Sequence, residues 1–462
     1  MTNLVWFRRD LRVYDNPALY YACQNRNESV IACYLITLDF WRQHDEAKCK
    51  IAFWLKNLQS LKVELEKLNI PLLVLSVTEK NLLSHFKKIL QQYKITKLHF
   101  NTLLEPNERE RDKAVVTLCK KLMVKVGRYQ QSCILAPGSV TKNDGSAYSM
   151  FTPFKNKWLS LLSSDDYACL SKPKARYSTV KLSSTNLLQK FLQQYKKYDL
   201  SQWGVGEKLA QQKLRYFIRN RIGDYAKARD FPALTGTSQL SPYLTAGILS
   251  VKQCLAAAKQ LPQNKGVQTW ISELIWRDFY QHILYFFPRV GKNCAFRLET
   301  EKLVWRKNDV YFKAWCTGQT GIPIVDAAMR QLLQTGWMHN RLRMVVAMFF
   351  TKNLFLDWRQ GEQYFMQHLI DGDLAANNGG WQWSASTGTD AAPYFRIFNP
   401  YRQSERFDPE GCFIQQYCSE LKELDQRQIH QPPKLKNYPK PLVDVELTRK
   451  QAIDKFKKVL KR

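Results

Sequence analysis

The first third of the 462-residue chain alternates short apolar runs with longer amphipathic stretches. The runs 3–7 (NLVWF), 30–36 (VIACYLI) and 71–77 (PLLVLSV) are short and continuous, as in strands buried on both faces. Two weaker runs, 98–101 (LHFN) and 124–128 (VKVGR), read as further strands. Helical patterns lie between them, notably at 47–68 and 107–122. This alternation predicts an α/β N-terminal domain with a five-stranded, parallel, Rossmann-like sheet and crossover helices. No GxGxxG or P-loop follows the first strand, so the motif for a dinucleotide at this sheet is missing. Residues 133–200 are mixed. The stretch LAPGSVTKNDGSAYSMFTPF clusters turn residues and reads as a connector, and 172–184 reads as a polar loop. From 201 onward the pattern is helical without strand alternation, which predicts an all-α C-terminal domain. The expected organisation is 1–132, 133–200 and 201–462, and no internal repeat is visible.

Composition narrows the class. Hydrophobic residues make up 45% and charged residues 24% of the chain, ordinary values for a water-soluble globular protein. The eleven cysteines include no CxxC pair, and Cys412 and Cys418 have no histidine at zinc-site spacing, so no metal site is expected. Scattered single cysteines in a long chain suit a reducing compartment. The N-terminus MTNLVWFRRDLRVYDN carries charge where a signal peptide needs an apolar core. No apolar run reaches membrane-spanning length. A cytoplasmic protein with no membrane association is expected. The net charge of +30 points toward a polyanionic partner, but it is spread along the chain: 1–132 carries +9, at nearly the density of the rest. Charge alone fits a nucleic-acid binder or a lysine-rich solvated surface.

Four segments carry candidate chemistry. In 237–242 (TSQLSP), Ser241 suits an N-cap and Pro242 a first helical position, so the segment is either an anion-binding helix start or a plain cap. In 270–280 (WISELIWRDFY), Ile271, Ile275, Phe279 and Ile283 form a core-facing ladder. A second face combines Trp270, Glu273, Arg277 and Gln281, with Trp276 and Tyr280 beside it. It suits base stacking and phosphate contact, or an internal Glu273–Arg277 pair. In 336–344 (GWMHNRLRM), Asn340 and Met344 share a face flanked by Arg341 and Arg343. Asparagine reads base edges and arginine clamps phosphate, while a bland surface helix with Met344 in the core is the alternative. Finally, 371–383 (DGDLAANNGGWQW) joins two acceptors, Asp371 and Asp373, to Asn377 and two tryptophans. Helix capping by the acids and a turn at 378–380 would need no ligand.

Taken together, LVWFRRDLRVYDN, FTPFKNKW, RDFPALTGTSQLS, ELIWRDFY, GIPIVDAAMRQL, GWMHNRLRM and DGDLAANNGGWQWSASTGTDAAPYFRIFNP span nearly the whole chain. They resemble the photolyase and cryptochrome flavoprotein family, most specifically the class I cyclobutane pyrimidine dimer photolyases. Enzymes of that kind flip their target base out of the duplex. The resemblance implies an antenna domain followed by a helical domain that holds FAD. Tyr225, Thr237, Ser238, Gln239, Leu240, Ser241 and Trp270 match its flavin contacts, and Asp371, Gly372 and Asp373 match those at the ribityl chain and ring edge. Asn377 matches the residue facing flavin N5. Many relatives carry arginine where this chain has Gln239. Trp381, Trp358 and Trp305 match a three-tryptophan electron relay. Glu273, Trp276, Arg277, Tyr280, Asn340, Met344 and Trp383 match lesion-side positions, and Arg229, Arg341 and Gln403 match contacts to the DNA backbone.

The subfamily rests on few residues. Relatives acting on (6-4) photoproducts usually carry two histidines where this chain has Asn340 and Met344. At the position of Asn377, plant cryptochromes usually carry aspartate and animal ones cysteine. All three residues here resemble dimer repair, so the expected activity is that of a deoxyribodipyrimidine lyase acting as a monomer on dimer-containing DNA. Asn107, Glu108 and Lys292 match the folate contacts of members with a 5,10-methenyltetrahydrofolate antenna; a deazaflavin or an empty site is the alternative, and Asn107 equally suits a plain helix cap. A cryptochrome-type photoreceptor is the competing function. A cofactor-free basic DNA-binding module is the competing class, disfavoured by the three tryptophans and the DGD segment.

Overall fold

The computed structural model describes residues 1–176, 180, 182 and 186–460. In the expected loop 172–184, residues 177–179, 181, 183 and 184 lie outside the described residues, and 172–176 form neither helix nor strand.

Five parallel strands form one sheet: β1 (Thr2–Phe7), β2 (Ser29–Ile36), β3 (Leu72–Ser76), β4 (Ile95–Asn101) and β5 (Lys125–Tyr129), in the order β3-β2-β1-β4-β5. Leu4 pairs with Ile31 on one side and Leu98 on the other. All three are fully buried, which is why these runs are continuously apolar. β4 begins at buried Ile95, before the expected 98, because exposed Thr96 and half-buried Lys97 interrupt the apolar run. β5 is an edge strand with no fully buried position, which explains its faint signal. Strand order reverses at β1, and ligands of open α/β sheets gather at the carboxyl ends beside such a point.

The chain divides into two compact units. One comprises Met1–Tyr148, Thr152–Ile222 and Ser238–Phe286; the other comprises Ser149–Phe151, Gly223–Thr237 and Phe287–Arg462. These divisions differ from breaks at 132 and 200, because much of 201–286 is bonded into the sheet-bearing unit. The Glu207 carboxylate accepts from the Val13 and Tyr14 N–H groups at 2.8 and 3.0 Å. The Arg12 guanidinium donates to the Gly247 carbonyl at 2.9 Å.

The second unit is helical, and no strand occurs among its described residues. Its main helices are Pro323–Thr335, Asn340–Met348, Trp358–His368, Leu374–Ala385, Pro400–Phe407 and Val445–Leu460. Local chemistry sets their ends. Pro323 opens its helix and Gly336 closes it at φ 67°, where a side chain would be strained. Asp357, Asp373 and Asn399 cap theirs with side-chain acceptors. A π-helical turn, Phe349–Asn353, follows the Asn340 helix. Such turns often mark functional sites.

Candidate functional site

The Leu374 helix organises the helical unit's share of the site. Asp373 caps it, accepting from the Ala376 N–H at 3.0 Å. The capping alternative therefore holds for Asp373. Asp371 is buried and takes two bonds from Arg343, at 2.8 and 3.0 Å. Gly372 is buried between these acids. The turn expected at 378–380 is absent: these residues are helical. The reason is Asn378, whose buried amide donates to the Val290 carbonyl and the Glu362 carboxylate at 3.0 and 3.1 Å, stronger tethers than a local turn offers. Asn377 donates to the Glu362 carbonyl at 3.0 Å, tying the Leu374 and Trp358 helices together.

Two residues apart on a helix means roughly 200° of rotation, so Trp381 and Trp383 face opposite ways. Trp381 is buried among Phe365, Phe350 and Trp315, with ring centroids at 5.0, 5.6 and 5.9 Å. Its indole N–H has no protein partner. A side chain at Gly361 would overlap this indole, so glycine is required where the two helices meet. Trp358 is fully buried in the same cluster. Trp305 is half-buried, 5.0 Å from Phe355 and 6.4 Å from Phe456. Trp383 is half-buried, 6.4 Å from Phe398.

Phe398 lines a groove of about 610 Å³ with Asp230, Arg341, Arg396, Arg402, Gln403 and Arg406. Arg341 pairs with Asp230 at 2.9 Å and lies 4.4 Å over the Phe407 ring. Its Nε and the Gln403 Oε1 are buried without partners, polar groups that a ligand in the groove would satisfy. Asn340 opens its helix in an exposed position and Met344 is half-buried, not in the core. Arg229 lies 5.4 Å over the buried Tyr225 ring.

In the sheet-bearing unit, the helix Lys265–Phe286 buries the expected Ile271, Ile275, Phe279 and Ile283 ladder. Trp270 is buried against Phe217, with centroids at 5.2 Å. Glu273, Trp276, Arg277 and Tyr280 are partly exposed. The Arg277 guanidinium also donates to the Ser132 carbonyl. Ser241 does not cap its helix: Leu240 holds the cap position and Ser241 begins the helix, because the turn before it is set by Gln239 at φ 50°. A left-handed glutamine is uncommon, and such strain gathers at ligand sites. Ser238 is partly exposed in the same segment, as is Thr237 in the helical unit.

At the start of helix Pro106–Lys121, Asn107 does not cap either, since the helix begins at Pro106. Its amide donates instead to His44 Nε2 at 3.0 Å, and His44 Nδ1 lies 3.5 Å from Glu108. Burial pushes the Glu108 carboxyl up, but the His44 bond and the charges of Arg9 and Arg111 outweigh it and bring it down to about 2. Beside this trio, at the carboxyl ends of β1 and β2, a cavity of about 50 Å³ is lined by Trp6, Arg8, Tyr34, Trp41, Trp54 and Arg111. Lys292 ends the turn Pro288–Lys292 in the helical unit and is exposed.

Residues 3–174 match the family model described as DNA photolyase, and 270–458 match the FAD binding domain of DNA photolyase. The chain is 44% identical to the deoxyribodipyrimidine photo-lyase of Salmonella typhimurium, covering 97% of each chain. It is 42% identical to that of Escherichia coli, covering 98% of each. The chain belongs to the DNA photolyase family. Among solved structures, a class III photolyase from Agrobacterium tumefaciens superposes with a TM-score of 0.90 at 32% identity, over 100% of this chain and 98% of that one. A Synechocystis cryptochrome superposes at 0.85 with 26% identity, over 98% of each.

In the helical unit the residues present fit the photolyase flavin: a buried oxidisable indole with an unpartnered N–H, and paired acids at a helix start. Three features of this photolyase escape a reading of its sequence. Arg343 reaches Asp371 across 28 positions, and His44 reaches Asn107 across 63. Asp278 is fully buried and accepts from Trp158 Nε1 at 3.0 Å and from the Ile134 N–H at 3.0 Å. Burial, opposed by these bonds, raises its carboxyl to about 6. The only available signal for Asp278 was an acid on the apolar side of a helix.

Proposed function

We propose that this photolyase is a class I enzyme that repairs cyclobutane pyrimidine dimers in DNA by light. One observation carries the reading. The Leu374 helix presents a buried indole, Trp381, on one face and a half-exposed indole, Trp383, on the opposite face, next to Phe398 of the arginine-lined groove. One rigid element thus links an oxidisable core to a surface sized and charged for a DNA strand.

Reduced FAD, when bound, supplies on absorbing light the electron that opens the dimer's two cyclobutane bonds. The chain's residues bind and orient around that event. Tyr225, the Thr237–Ser241 segment, Trp270, Asp371, Gly372, Asp373 and Asn377 would hold the cofactor. Arg343 fixes Asp371 in place as an acceptor through two hydrogen bonds. Glu273 and Asn340 hydrogen-bond the flipped dimer, while Trp276, Tyr280, Met344 and Trp383 pack against it. Arg229, Arg341 and Gln403 hold the flanking phosphates, with Arg277 contributing the part of its guanidinium not given to Ser132. Trp381, Trp358 and Trp305 conduct an electron inward when the cofactor arrives oxidised.

The antenna is 5,10-methenyltetrahydrofolate, held by Asn107 and Glu108 with His44, and by Lys292. The neighbouring cavity of about 50 Å³ is far below the roughly 300 Å³ at the lower end of small-molecule pockets. Neither a deazaflavin nor a pterin fits inside it as it stands, so the folate reading rests on the Asn107, Glu108 and His44 group beside it. Among the described residues no helix is long and apolar enough to cross a membrane. We assign the protein to the cytoplasm as a monomer. The deciding experiment is illumination of the purified protein with dimer-containing oligonucleotide, beside a dark control. Light-dependent return of intact pyrimidines is expected; a coloured protein that leaves every dimer in place would establish the photoreceptor reading instead.

A further inference from the structure

Trp305 lies in an irregular stretch between the turn Leu298–Lys302 and the helix Asp309–Cys316. Two apolar neighbours are strongly exposed, Val304 at 86% and Val310 at 70%. Single exposed apolar residues are ordinary. In sequence they stand one position before and five positions after the half-exposed indole that ends the proposed electron relay. Cations gather around the same indole. Lys302, Arg306 and Lys307 lie within three positions of it in sequence. The Lys455 ammonium sits 4.1 Å over the ring of Phe355, which itself packs on Trp305. Desolvation and the charge of Arg306 lower the Lys455 pKa, so the two cations lie within each other's field. Lys352 lies 3.7 Å over Phe456, the other ring against Trp305, but burial pushes its pKa well down, so it adds no dependable charge to this face. The local acids offset little of this. Glu301 is held bidentately by Arg359 at 2.6 and 2.8 Å, and Glu299 pairs with Arg297 at 3.0 Å. Asp309 is the third acid between 299 and 313.

We infer that this face docks a small one-electron carrier protein with an acidic surface, which refills Trp305 after light has drawn an electron from it. The inference rests on the proposed relay through Trp381, Trp358 and Trp305. The electron count closes simply. One electron leaves the carrier's reduced centre, the carrier is oxidised by one unit, and the indole radical cation returns to neutral indole. No heavy-atom bond forms or breaks. If the indole N–H has already lost its proton to water, one proton returns from water with the electron. The cations act twice. Their field steers an acidic partner to this face. It also destabilises positive charge on Trp305, which makes electron transfer into the hole more favourable. Val304 and Val310 supply a dry contact that a small anion would not need, which favours a protein partner.

Reduced flavodoxin, an acidic carrier, is the probe, used with the intact holoprotein. Binding is read in the dark by calorimetry, and refilling by flash bleaching and recovery of the Trp305 signal. Lys302→Glu with Lys307→Glu should weaken binding and slow refilling by about tenfold or more at low salt. Refilling by a neutral thiol should slow far less, because only the driving force and not the encounter changes, and its persistence shows that the doubly substituted protein is intact. Parent binding should weaken as salt rises. Binding that ignores both the charge reversal and salt overturns the docking face, and so does an absence of binding to the parent. Trp305→Phe separates the layers. Lost photoreduction with flavodoxin binding retained supports both ideas, whereas photoreduction at the parent rate removes the relay and the docking role with it.

Discussion

Tryptophan is placed differently in the two units. In the sheet-bearing unit Trp6 stands edge-on to Phe86 and Phe100 at 4.7 and 5.7 Å, and Trp41 stands edge-on to Trp54 at 5.7 Å. Arg8 and Arg111 cover the Trp6 ring at 4.2 and 4.9 Å. All three indoles are buried, and together they nearly close the cavity at the sheet's carboxyl edge. In the helical unit Trp381 and Trp358 are just as buried, but Trp305 reaches water. Composition does not separate these sets. Indoles that all end in the core fill volume, whereas the proposed relay needs one indole, Trp305, that reaches the surface. The arginines divide in the same way. Arg8 is buried and paired with Asp112 at 2.6 Å, while Arg341, Arg396, Arg402 and Arg406 line an open groove.

The contrast breaks most directly at Trp305. Phenylalanine is much harder to oxidise than indole, so Trp305→Phe should abolish photoreduction of the oxidised flavoprotein. Repair by chemically reduced enzyme should persist. Trp6→Phe, by contrast, should leave photoreduction at the parent rate. Absorbance under illumination checks both, and a Trp305→Phe protein that reduces normally would erase the distinction between the two sets. The next effect is on stability. Trp6→Ala should cost about 3–5 kcal/mol through the cavity it leaves, read from denaturant midpoints, while photoreduction persists in the folded fraction. Gly361→Ala sharpens the comparison on the other side. Its added methyl overlaps the Trp381 indole and should cost about 1–3 kcal/mol. Slower photoreduction is expected as well, because Trp381 must move; an unchanged rate and melting point would show that the indole has room to yield.

The smallest effect concerns the arginines. Arg341→Ala should flatten the plot of log affinity for dimer-containing DNA against log salt by about 1 if it meets one phosphate. Substituting Arg8, which is buried and ion-paired, should lower stability and leave that slope alone. Equal slopes for the parent and Arg341→Ala would remove Arg341 from the DNA contacts.

What could be read without coordinates followed from local periodicity. The sheet was legible because strands buried on both faces must be apolar without interruption, and β4, with Thr96 and Lys97 near its start, departed most from its expected bounds while the other strands shifted by one residue. The ladder of Ile271, Ile275, Phe279 and Ile283 was legible because helical spacing alone puts those residues on one face. Rules for helix ends did less well. Ser241 and Asn107 both look like caps, yet a left-handed Gln239 and a bond to His44 take them elsewhere. The glycine pair after Asn378 looks like a turn, but two long-range hydrogen bonds hold it in a helix.

The sequence by itself determined the fold class, through the local spacing of apolar positions, and the family, through motifs spread along nearly the whole chain. Only the tertiary structure decided which charges are paired, which indoles reach water and how much space remains between them. Arg343 finds Asp371, His44 finds Asn107, and Asp278 finds Trp158 and the chain at Ile134 only after distant segments meet. The physical reason is that desolvation and Coulomb terms depend on neighbours in space. An isolated acid in a sequence carries no sign of whether burial will push its pKa up, as at Asp278, or a cationic setting will pull it down, as at Glu108.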